Sequence, residues 1–145
     1  MKTDTCLFCR IVSGELPATI VYEDDDSVAF LDHRPLFPGH ALLVPRQHVE
    51  TLGELPAKIV APYFEAAQLL SRAVESAMEA EGTFVAMNNR VSQSVPHLHV
   101  HIVPRRKKDG LKGFFWPRTK YKSDEELEEV KKKIANAVKK VKIKK

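Results

Sequence analysis

The sequence predicts an α+β domain built on an antiparallel sheet. Short apolar and β-branched runs end at proline or glycine, as strands do, and one long stretch carries apolar residues at helical spacing. Strands and helices do not alternate regularly, so a parallel βαβ arrangement is not expected. A chain of 145 residues is long enough for one domain with a sizeable core.

The first half of the chain supplies three of the predicted elements. Strands are expected over residues 28–32 and 40–45, and the turn residues between them make the two strands antiparallel neighbours. The apolar spacing predicts a long helix over residues 57–81 that stops before Gly82. Because an interior proline removes a backbone donor, we expect this helix to start or to kink at Pro62.

The net charge of +4 is unevenly distributed along the chain. Residues 1–104 contain 7 basic and 13 acidic side chains, whereas residues 105–145 contain 16 and 6. A basic segment is typical of a polyanion-binding surface or of a solvated helix face, and the lysine-rich helix predicted over residues 124–140 favours the second. We predict a single domain over residues 1–121 and a lysine-rich helix and tail over residues 122–145.

The composition also argues against some classes of protein. No apolar run approaches the roughly 18 residues of a transmembrane helix, and the N-terminus lacks the apolar segment of a secretory signal. The two cysteines lie three residues apart, which does not fit a secreted disulfide framework. We therefore expect a cytoplasmic protein with no membrane partner.

Three histidines stand in strict alternation with apolar residues over residues 97–103, after another predicted strand at residues 83–87. Alternate residues of a strand share a face, so His97, His99 and His101 should project to one side of the sheet. The outer two would lie about 13 Å apart, too far to share one metal ion.

Three interpretations of this pattern compete: a solvated polar face, a catalytic metal site, and a nucleophilic imidazole flanked by donors. A catalytic metal site needs a further ligand, and none is obvious in the sequence. A neutral imidazole attacks phosphorus readily, and neighbouring donors can stabilise the charge that develops on phosphoryl oxygens. We favour the nucleophile. Separately, Cys6 and Cys9 form a Cys-x-x-Cys pair that is compatible with metal binding, redox activity or chance.

The heptapeptide at residues 97–103, His-Leu-His-Val-His-Ile-Val, resembles the signature of the histidine-triad (HIT) family. Residues 6–15, 32–48 and 93–95 resemble other characteristic segments of the same family, so the resemblance covers about residues 6–104. It implies an α+β fold with a five-stranded antiparallel sheet, and a homodimer, because family members commonly form twofold dimers.

The resemblance also implies a reaction. HIT proteins hydrolyse or transfer nucleoside monophosphates through a nucleotidyl-histidine intermediate, and the middle histidine is the nucleophile, here His99. His101 would contact the phosphate and assist the leaving group, and His40 would support it by hydrogen bonding. The transferase branch has glutamine at the third position, so His101 favours a hydrolase. No catalytic metal is required.

Further nucleotide contacts are implied at the ribose and at the phosphate. Asp32 matches the residue that binds ribose hydroxyls, and Ser94 matches a hydroxyl that bonds the phosphate or the leaving group. The other implied contacts are Asn88 or Asn89, and Gln93. The loop before Gln93 is about two residues shorter than usual and contains Arg90. Which asparagine faces the site, and whether Arg90 reaches a phosphate, stay open.

In the family, the Cys-x-x-Cys pattern accompanies a structural zinc ion. The resemblance implies that Cys6 and Cys9 bind it together with His48 and His97, a Cys2His2 set that is complete for tetrahedral zinc. His97 would then be a structural ligand and not an acid or base.

The aromatic and basic segment at residues 105–121 follows the histidines. Residues in this position complete the partner subunit's site in some HIT branches, and Trp116 and Arg118 are the candidates here. The alternative is a surface loop that packs its aromatic side chains on the core.

Taken together, these features predict a nucleotide phosphohydrolase or nucleotidyltransferase. Its substrate would be a purine nucleoside monophosphate linked to an amine, as in a phosphoramidate, or to a second nucleotide, as in a dinucleoside polyphosphate. The alternatives are a nucleotide-binding module with little catalysis and a basic RNA- or DNA-interaction protein, and we favour neither. The base and the leaving group stay open.

Overall fold

The computed structural model describes residues 4–111 and 118–141. The chain divides into two compact units, Met1–Asp109 and Gly110–Lys145. The domain boundary after residue 121 stays a prediction. Within the described residues, no helix is long and apolar enough to cross a membrane.

The first unit contains a five-stranded sheet and two α-helices. Its elements are α1 (Leu7–Val12), β1 (Ile20–Glu23), β2 (Ser27–Leu31), β3 (Ala41–Pro45), a short 3-10 helix (Leu52–Glu54), α2 (Ala57–Ala77), β4 (Gly82–Ala86) and β5 (Val100–Arg105). The strand order is β1-β2-β3-β5-β4, and every neighbouring pair is antiparallel. The predicted α+β class and five-stranded antiparallel sheet are therefore confirmed.

The main core lies between one face of the sheet and α2. Leu43, Val100 and Ile102 from the sheet pack with the buried stripe of α2, which includes Tyr63 and Leu70. Tyr63 is fully buried, and its hydroxyl donates a hydrogen bond of 2.7 Å to the carbonyl of Leu43. Helix α2 therefore covers the core-facing side of the central strands β3 and β5.

Helix α2 differs from its prediction at both ends. It begins at Ala57, so Pro62 lies inside the helix and does not start it. It ends at Ala77, four residues earlier than expected, because Glu79 adopts a left-handed backbone (φ 50°). The Ala80 N–H then bonds the Glu75 carbonyl at 2.9 Å, which closes the last turn before Gly82 is reached.

The opposite face of the sheet carries α1, which the sequence did not predict. Phe8 of α1 is buried against Phe30, Leu42 and Val44 in a second apolar cluster. The register aligns Phe30 with Leu42 across β2 and β3, and Leu42 with His101 across β3 and β5. This row of side chains forms the floor beneath the candidate site.

The histidine segment enters the sheet later than predicted. Strand β5 begins at Val100, because the Leu98 N–H bonds the carbonyl of Val49, which lies beyond the end of β3. The sidedness of the alternation is nevertheless confirmed. Leu98, Val100 and Ile102 belong to the core beneath α2, while the rings of His97 and His99 contact Phe8 on the other face.

Among residues 110–111 and 118–141, the described part of the second unit, the structure forms helix α3 (Asp124–Lys140), which has the predicted bounds. Ser123 caps it, because its side chain accepts a hydrogen bond of 3.1 Å from the Glu126 N–H. None of its side chains is buried, as a solvated helix face requires.

Candidate active site and metal cluster

A cavity of about 660 Å³ opens on the sheet face that carries α1. Its volume lies within the range of small-molecule sites, roughly 300–1,000 Å³. The apolar lining includes Leu7, Phe8, Ile11, Phe30 and Leu42. The polar side chains in the lining are Thr19, Asp32, His33, Ser94, His99 and His101. Apolar walls with polar groups at one end suit a ligand that has both an aromatic ring and a charged group.

His99 presents an unprotonated ring nitrogen to this cavity. Its Nδ1 lies 2.8 Å from the carbonyl oxygen of His97. A carbonyl only accepts hydrogen bonds, so Nδ1 carries the proton and Nε2 keeps its lone pair. Burial lowers the pKa of His99 below its usual value, which keeps the ring neutral near pH 7. A neutral imidazole with a free Nε2 is a competent nucleophile.

His101 has the opposite tautomer, and a chain of hydrogen bonds determines it. The Leu36 N–H donates to Nδ1 of His40 at 3.1 Å, so His40 carries its proton on Nε2. That Nε2–H donates to Nδ1 of His101 at 3.0 Å, which leaves the His101 proton on Nε2. Because His101 lines the cavity beside His99, with ring centroids 4.9 Å apart, the site pairs a lone pair with a donor.

The three imidazoles on this side are neutral at physiological pH. Burial, with the neighbouring His99 and His40, lowers the pKa of His101 to about 4. Burial also lowers the pKa of His40, although the Asp32 carboxylate opposes this. His99 and His101 therefore offer polar groups to the cavity without a positive charge of their own.

Asp32, His40 and His101 bring three potential ligand atoms within 4.8 Å of one another. Metal binding by this set is disfavoured by the tautomer of His40, whose Nε2 carries a proton and whose Nδ1 accepts from Leu36. The Asp32 Oδ1 accepts from the Arg34 N–H at 2.9 Å, and Oδ2 lies 3.9 Å from His40 Nε2. This arrangement suits hydrogen bonding to a ligand better than coordination.

Of the nucleotide-binding residues predicted in the loop before the histidines, one lines the cavity and three do not. Ser94 lines the cavity, whereas Asn88, Asn89 and Gln93 are not among the lining residues. Asn89 accepts from the Leu52 N–H at 2.8 Å, and Gln93 donates to the Glu50 carbonyl at 2.7 Å. These two side chains tie the loop to the segment at residues 50–52. Their roles in nucleotide binding stay predictions, as does that of Asn88, which donates to the Ser92 carbonyl at 3.2 Å.

The Arg90 guanidinium forms an ion pair with Glu54, with 3.6 Å between Nη2 and Oε1, and 72% of the Arg90 side chain is exposed. Arg90 and Ser92 both have left-handed backbones, with φ of 69° and 61°, which fits a loop shortened by two residues. Of the two candidates further along, Trp116 lies outside the described residues. Arg118 is exposed in the second unit, and its role stays a prediction.

Sequence reasoning missed most of the cavity wall. Leu7, Phe8 and Ile11 lie within or just after the Cys-x-x-Cys pair, so their apolar character was visible but had no assigned face. Thr19 and His33 also line the cavity. No signal in the sequence identified Thr19, whereas His33, next to Asp32, was visible as a polar neighbour of a candidate residue.

Four further side chains form a group that we call the metal cluster: Cys6, Cys9, His48 and His97. His97 Nδ1 lies 3.4 Å from Cys6 Sγ, 3.5 Å from Cys9 Sγ and 3.2 Å from His48 Nδ1. Cys9 Sγ lies 3.2 Å from His48 Nδ1. Ligand atoms around a tetrahedral zinc ion bound by two thiolates and two imidazoles are separated by roughly 3.3–3.8 Å, close to these distances, so the residues fit such an ion.

The chemistry of the donors supports the same conclusion. The ring of His97 is fully buried, and its Nε2–H donates to the Pro45 carbonyl at 2.8 Å, which leaves a lone pair on Nδ1 facing the thiols. Burial and the neighbouring Cys6 raise the pKa of Cys9 to about 11. A bound cation has to displace thiol protons and would in turn stabilise the thiolates. The cluster can therefore bind zinc.

A match to the HIT domain model extends over residues 13–108 and includes all three alternating histidines. The chain belongs to the HIT domain family. Among its relatives is adenosine 5'-monophosphoramidase hnt1 of Schizosaccharomyces pombe, 34% identical over 93% of this chain and 99% of that protein. Adenylylsulfatase HINT3 of Arabidopsis thaliana is 38% identical over 73% of this chain, which covers 55% of that protein.

Solved structures agree with the family assignment. A HIT family member from Bacillus subtilis superposes with a TM-score of 0.82 at 36% identity, covering 91% of this chain and 96% of that one. A histidine-triad protein from Mycobacterium smegmatis, described as zinc-bound, gives a TM-score of 0.71 at 32% identity, covering 97% and 100%. The family relatives named as hydrolases of nucleotides place this chain in a family of nucleotide hydrolases.

Proposed function

We propose that this protein cleaves a nucleoside monophosphate from a phosphoramidate through a covalent intermediate on His99. One observation carries the proposal: His99 Nε2 has a lone pair and His101 Nε2 has a proton, and both rings line the same cavity. A nucleophile beside a neutral donor is the arrangement that displacement at phosphorus requires.

The reaction runs in two displacements. His99 Nε2 attacks the α-phosphorus, a P–N bond forms, and the bond to the leaving group breaks. His101 Nε2–H donates a hydrogen bond at the phosphoryl or leaving-group oxygen or nitrogen. The nucleotidylated His99 ring is cationic, and the His97 carbonyl that accepts its Nδ1–H stabilises the positive charge. The leaving amine takes a proton from solvent as its bond to phosphorus breaks. Water then attacks the same phosphorus, gives up a proton to solvent, breaks the P–N bond and regenerates neutral His99, so the two steps together are a hydrolysis in which protons and charge balance.

The rest of the nucleotide has suitable contacts in the cavity. The Asp32 carboxylate, at the end of β2, would accept hydrogen bonds from ribose hydroxyls, and Ser94 would donate to the phosphate. Phe8 and Phe30 offer aromatic surface for a purine base. The monophosphoramidase and adenylylsulfatase relatives support an adenosine monophosphate linked to an amine or a sulfate-like group. Dinucleoside polyphosphates remain the other substrate class to assay.

We propose that the metal cluster holds a structural zinc ion and that the reaction needs no metal at the phosphorus. When bound, zinc would supply a tetrahedral cross-link between α1, His48 and His97. The donor geometry and the zinc-bound relative support this role.

We also propose that the protein acts in the cytoplasm as a homodimer, without a nucleic-acid or membrane partner. Val60 and Phe64 of α2 are 37% and 42% exposed, and Val85 on the edge strand β4 is 46% exposed. The register places Val85 opposite Ile102, on the sheet face that α2 covers. Helix α2 and strand β4 contact each other, and burial of these exposed apolar side chains by a second copy would stabilise a dimer.

The test is a substrate panel combined with trapping. Adenosine and guanosine phosphoramidates, dinucleoside polyphosphates and adenylylsulfate are assayed for monophosphate release, and the protein is denatured within one turnover for intact mass measurement. We expect a mass increase of one nucleotidyl group that is lost in His99→Asn. Nucleotide binding with no release and no labelling would support a binding module, and steeply salt-dependent RNA or DNA binding would support a nucleic-acid partner.

A further inference from the structure

Two separate contact paths connect the metal cluster to His99. The first passes through His97, whose ring belongs to the cluster and whose carbonyl accepts the Nδ1–H of His99 at 2.8 Å. The second passes through Phe8, which stands between the two cysteines on α1. The Phe8 ring lies 5.9 Å from the His97 ring and 5.1 Å from the His99 ring, edge-on to both.

We propose that a divalent ion in the metal cluster positions the nucleophile: it keeps His99 in the tautomer needed for attack and keeps α1 in place as a wall of the cavity. His97 and Phe8 are the positioning residues that connect ion and nucleophile. This inference depends on the proposed role of His99 as the nucleophile. It adds that the bound ion determines whether His99 is in the reactive tautomer.

The wall of the cavity depends on the ion because α1 is short. A six-residue helix is not stable by itself, so it relies on its anchors. Two of the four cluster ligands, Cys6 and Cys9, are placed one turn apart at the start of this helix. Leu7, Phe8 and Ile11 line the cavity from the same helix. Releasing both thiols would therefore loosen three lining residues together.

The tautomer of His99 depends on the position of one carbonyl. The His97 ring is held on one side by the Pro45 carbonyl at 2.8 Å and on the other by the cluster. The neighbouring backbone is held by the bond from Leu98 N–H to the carbonyl of Val49, which follows His48. Without an ion, nothing but hydrogen bonds from the thiols or from the His48 ring, whose Nδ1 lies 3.2 Å away, holds the His97 ring on the cluster side. A shift of His97 would weaken the hydrogen bond that keeps the proton on Nδ1 of His99.

His101 provides an internal comparison within the same cavity. Its tautomer is determined through His40 by the Leu36 N–H, a path that does not pass through the cluster. Removal of the ion should therefore change the ring signals of His99 and leave the tautomers of His40 and His101 unchanged. A general loosening of the fold would change all three.

The experiment is long-range ¹H–¹⁵N NMR of the histidine rings in the full chain, at one pH, with one equivalent of zinc and after chelation. With zinc, we expect His99 to be fully the Nδ1–H tautomer. After chelation, we expect averaged tautomers for His99 only, and an adenosine monophosphate affinity about tenfold lower by calorimetry. Both readouts are independent of turnover, so an inactive but correctly coupled protein would refute the proposed function and not this inference.

Two variants keep the test decisive if the chelated protein unfolds. Zinc-loaded Phe8→Leu keeps all four ligands but loses the aromatic edge contact, and we expect one zinc ion per chain with a smaller population of the Nδ1–H tautomer of His99, read from its two ring ¹⁵N shifts. Ser13→Ala, at the exposed end of the same helix, is the matched control and should match the parent protein. The inference is overturned if the chain binds no zinc, or if His99 signals and nucleotide affinity are the same with and without zinc in a folded protein. An unchanged tautomer population of His99 in Phe8→Leu would rule out the contact path through Phe8.

Discussion

His97 and His101 occupy equivalent positions on either side of His99, yet the structure uses them in different ways. Each points to the face of the sheet that carries α1, and burial lowers the pKa of each to about 4. His97 donates from Nε2 to a backbone carbonyl and turns Nδ1 to two thiols. His101 accepts at Nδ1 from His40 and turns Nε2–H to the cavity.

The difference shows that the hydrogen-bond partner, and not the spacing, decides what each imidazole can do. Alternation along a strand determines only the side to which a ring projects. A carbonyl partner accepts and so fixes the proton on the nitrogen that faces it, whereas a donating N–H partner leaves the facing nitrogen unprotonated and puts the proton on the other nitrogen. One motif therefore presents, in sequence, a lone pair to two thiols, a lone pair to the cavity and an N–H donor to the cavity.

The largest expected effect comes from removing the nucleophile. His99→Asn keeps an N–H that can donate to the His97 carbonyl but has no imidazole lone pair, so turnover should fall by about 10³-fold or more. Steady-state release of monophosphate measures the loss, and circular dichroism confirms that the fold is retained. Turnover within tenfold of the parent would contradict the assignment of His99.

The second prediction concerns the hydrogen bond from His40 to His101 and leaves the metal cluster intact. His40→Ala removes the ring that donates to His101 Nδ1, so His101 can adopt the other tautomer and lose its cavity-facing proton. We expect turnover to fall by about 10- to 100-fold while metal content stays unchanged. Metal analysis of the same preparation is the control. A His40→Ala protein that loses its metal would show that the His40–His101 hydrogen bond and the metal cluster are not independent.

The third prediction concerns the metal cluster and leaves the hydrogen bond from His40 to His101 intact. Cys9→Ser removes one thiol ligand, and we expect the purified protein to carry well below one zinc ion per chain. Its Tm should fall by about 10 °C, which corresponds to roughly 3 kcal/mol for a domain of this size. Elemental analysis and calorimetry measure the two effects, with Ser13→Ala as the comparison variant. A full complement of zinc in Cys9→Ser would refute the four-ligand assignment.

Periodicity predicted the α+β class and the placement of the three histidines on one face of the sheet with apolar residues on the other, and the HIT resemblance supplied the five-stranded sheet. It did not predict α1 or β1, since a six-residue helix and a mostly exposed four-residue edge strand leave too few repeats to detect. The start of β5 was wrong because ladder pairing depends on where β3 ends, which alternation does not encode.

The candidate site, like the fold, could be predicted only in part from the sequence. The chemistry-bearing residues were visible as residue types, and the HIT resemblance supplied their pairing across the chain. Hydrogen bonds across more than forty residues, such as that from Gln93 to the Glu50 carbonyl, decided which loop residues turn from the cavity. The shortened loop with left-handed Arg90 could not be oriented from sequence alone.

The smallest expected effect is a dependence of stability on pH that His101 contributes. Its pKa is about 4 in the folded protein and about 6.5 when unfolded, so the unfolded state binds more protons between these values. The neutral ring therefore stabilises the fold above about pH 6.5, and this contribution is lost as the pH falls toward 4. We expect the free energy of unfolding to fall between pH 7.5 and 5 by about 2 kcal/mol more in the parent than in His101→Gln. Denaturant titrations at both pH values measure the difference, and because both proteins keep the metal cluster, acid release of the ion cancels. An equal loss in the two proteins would show that His101 is not held neutral by burial.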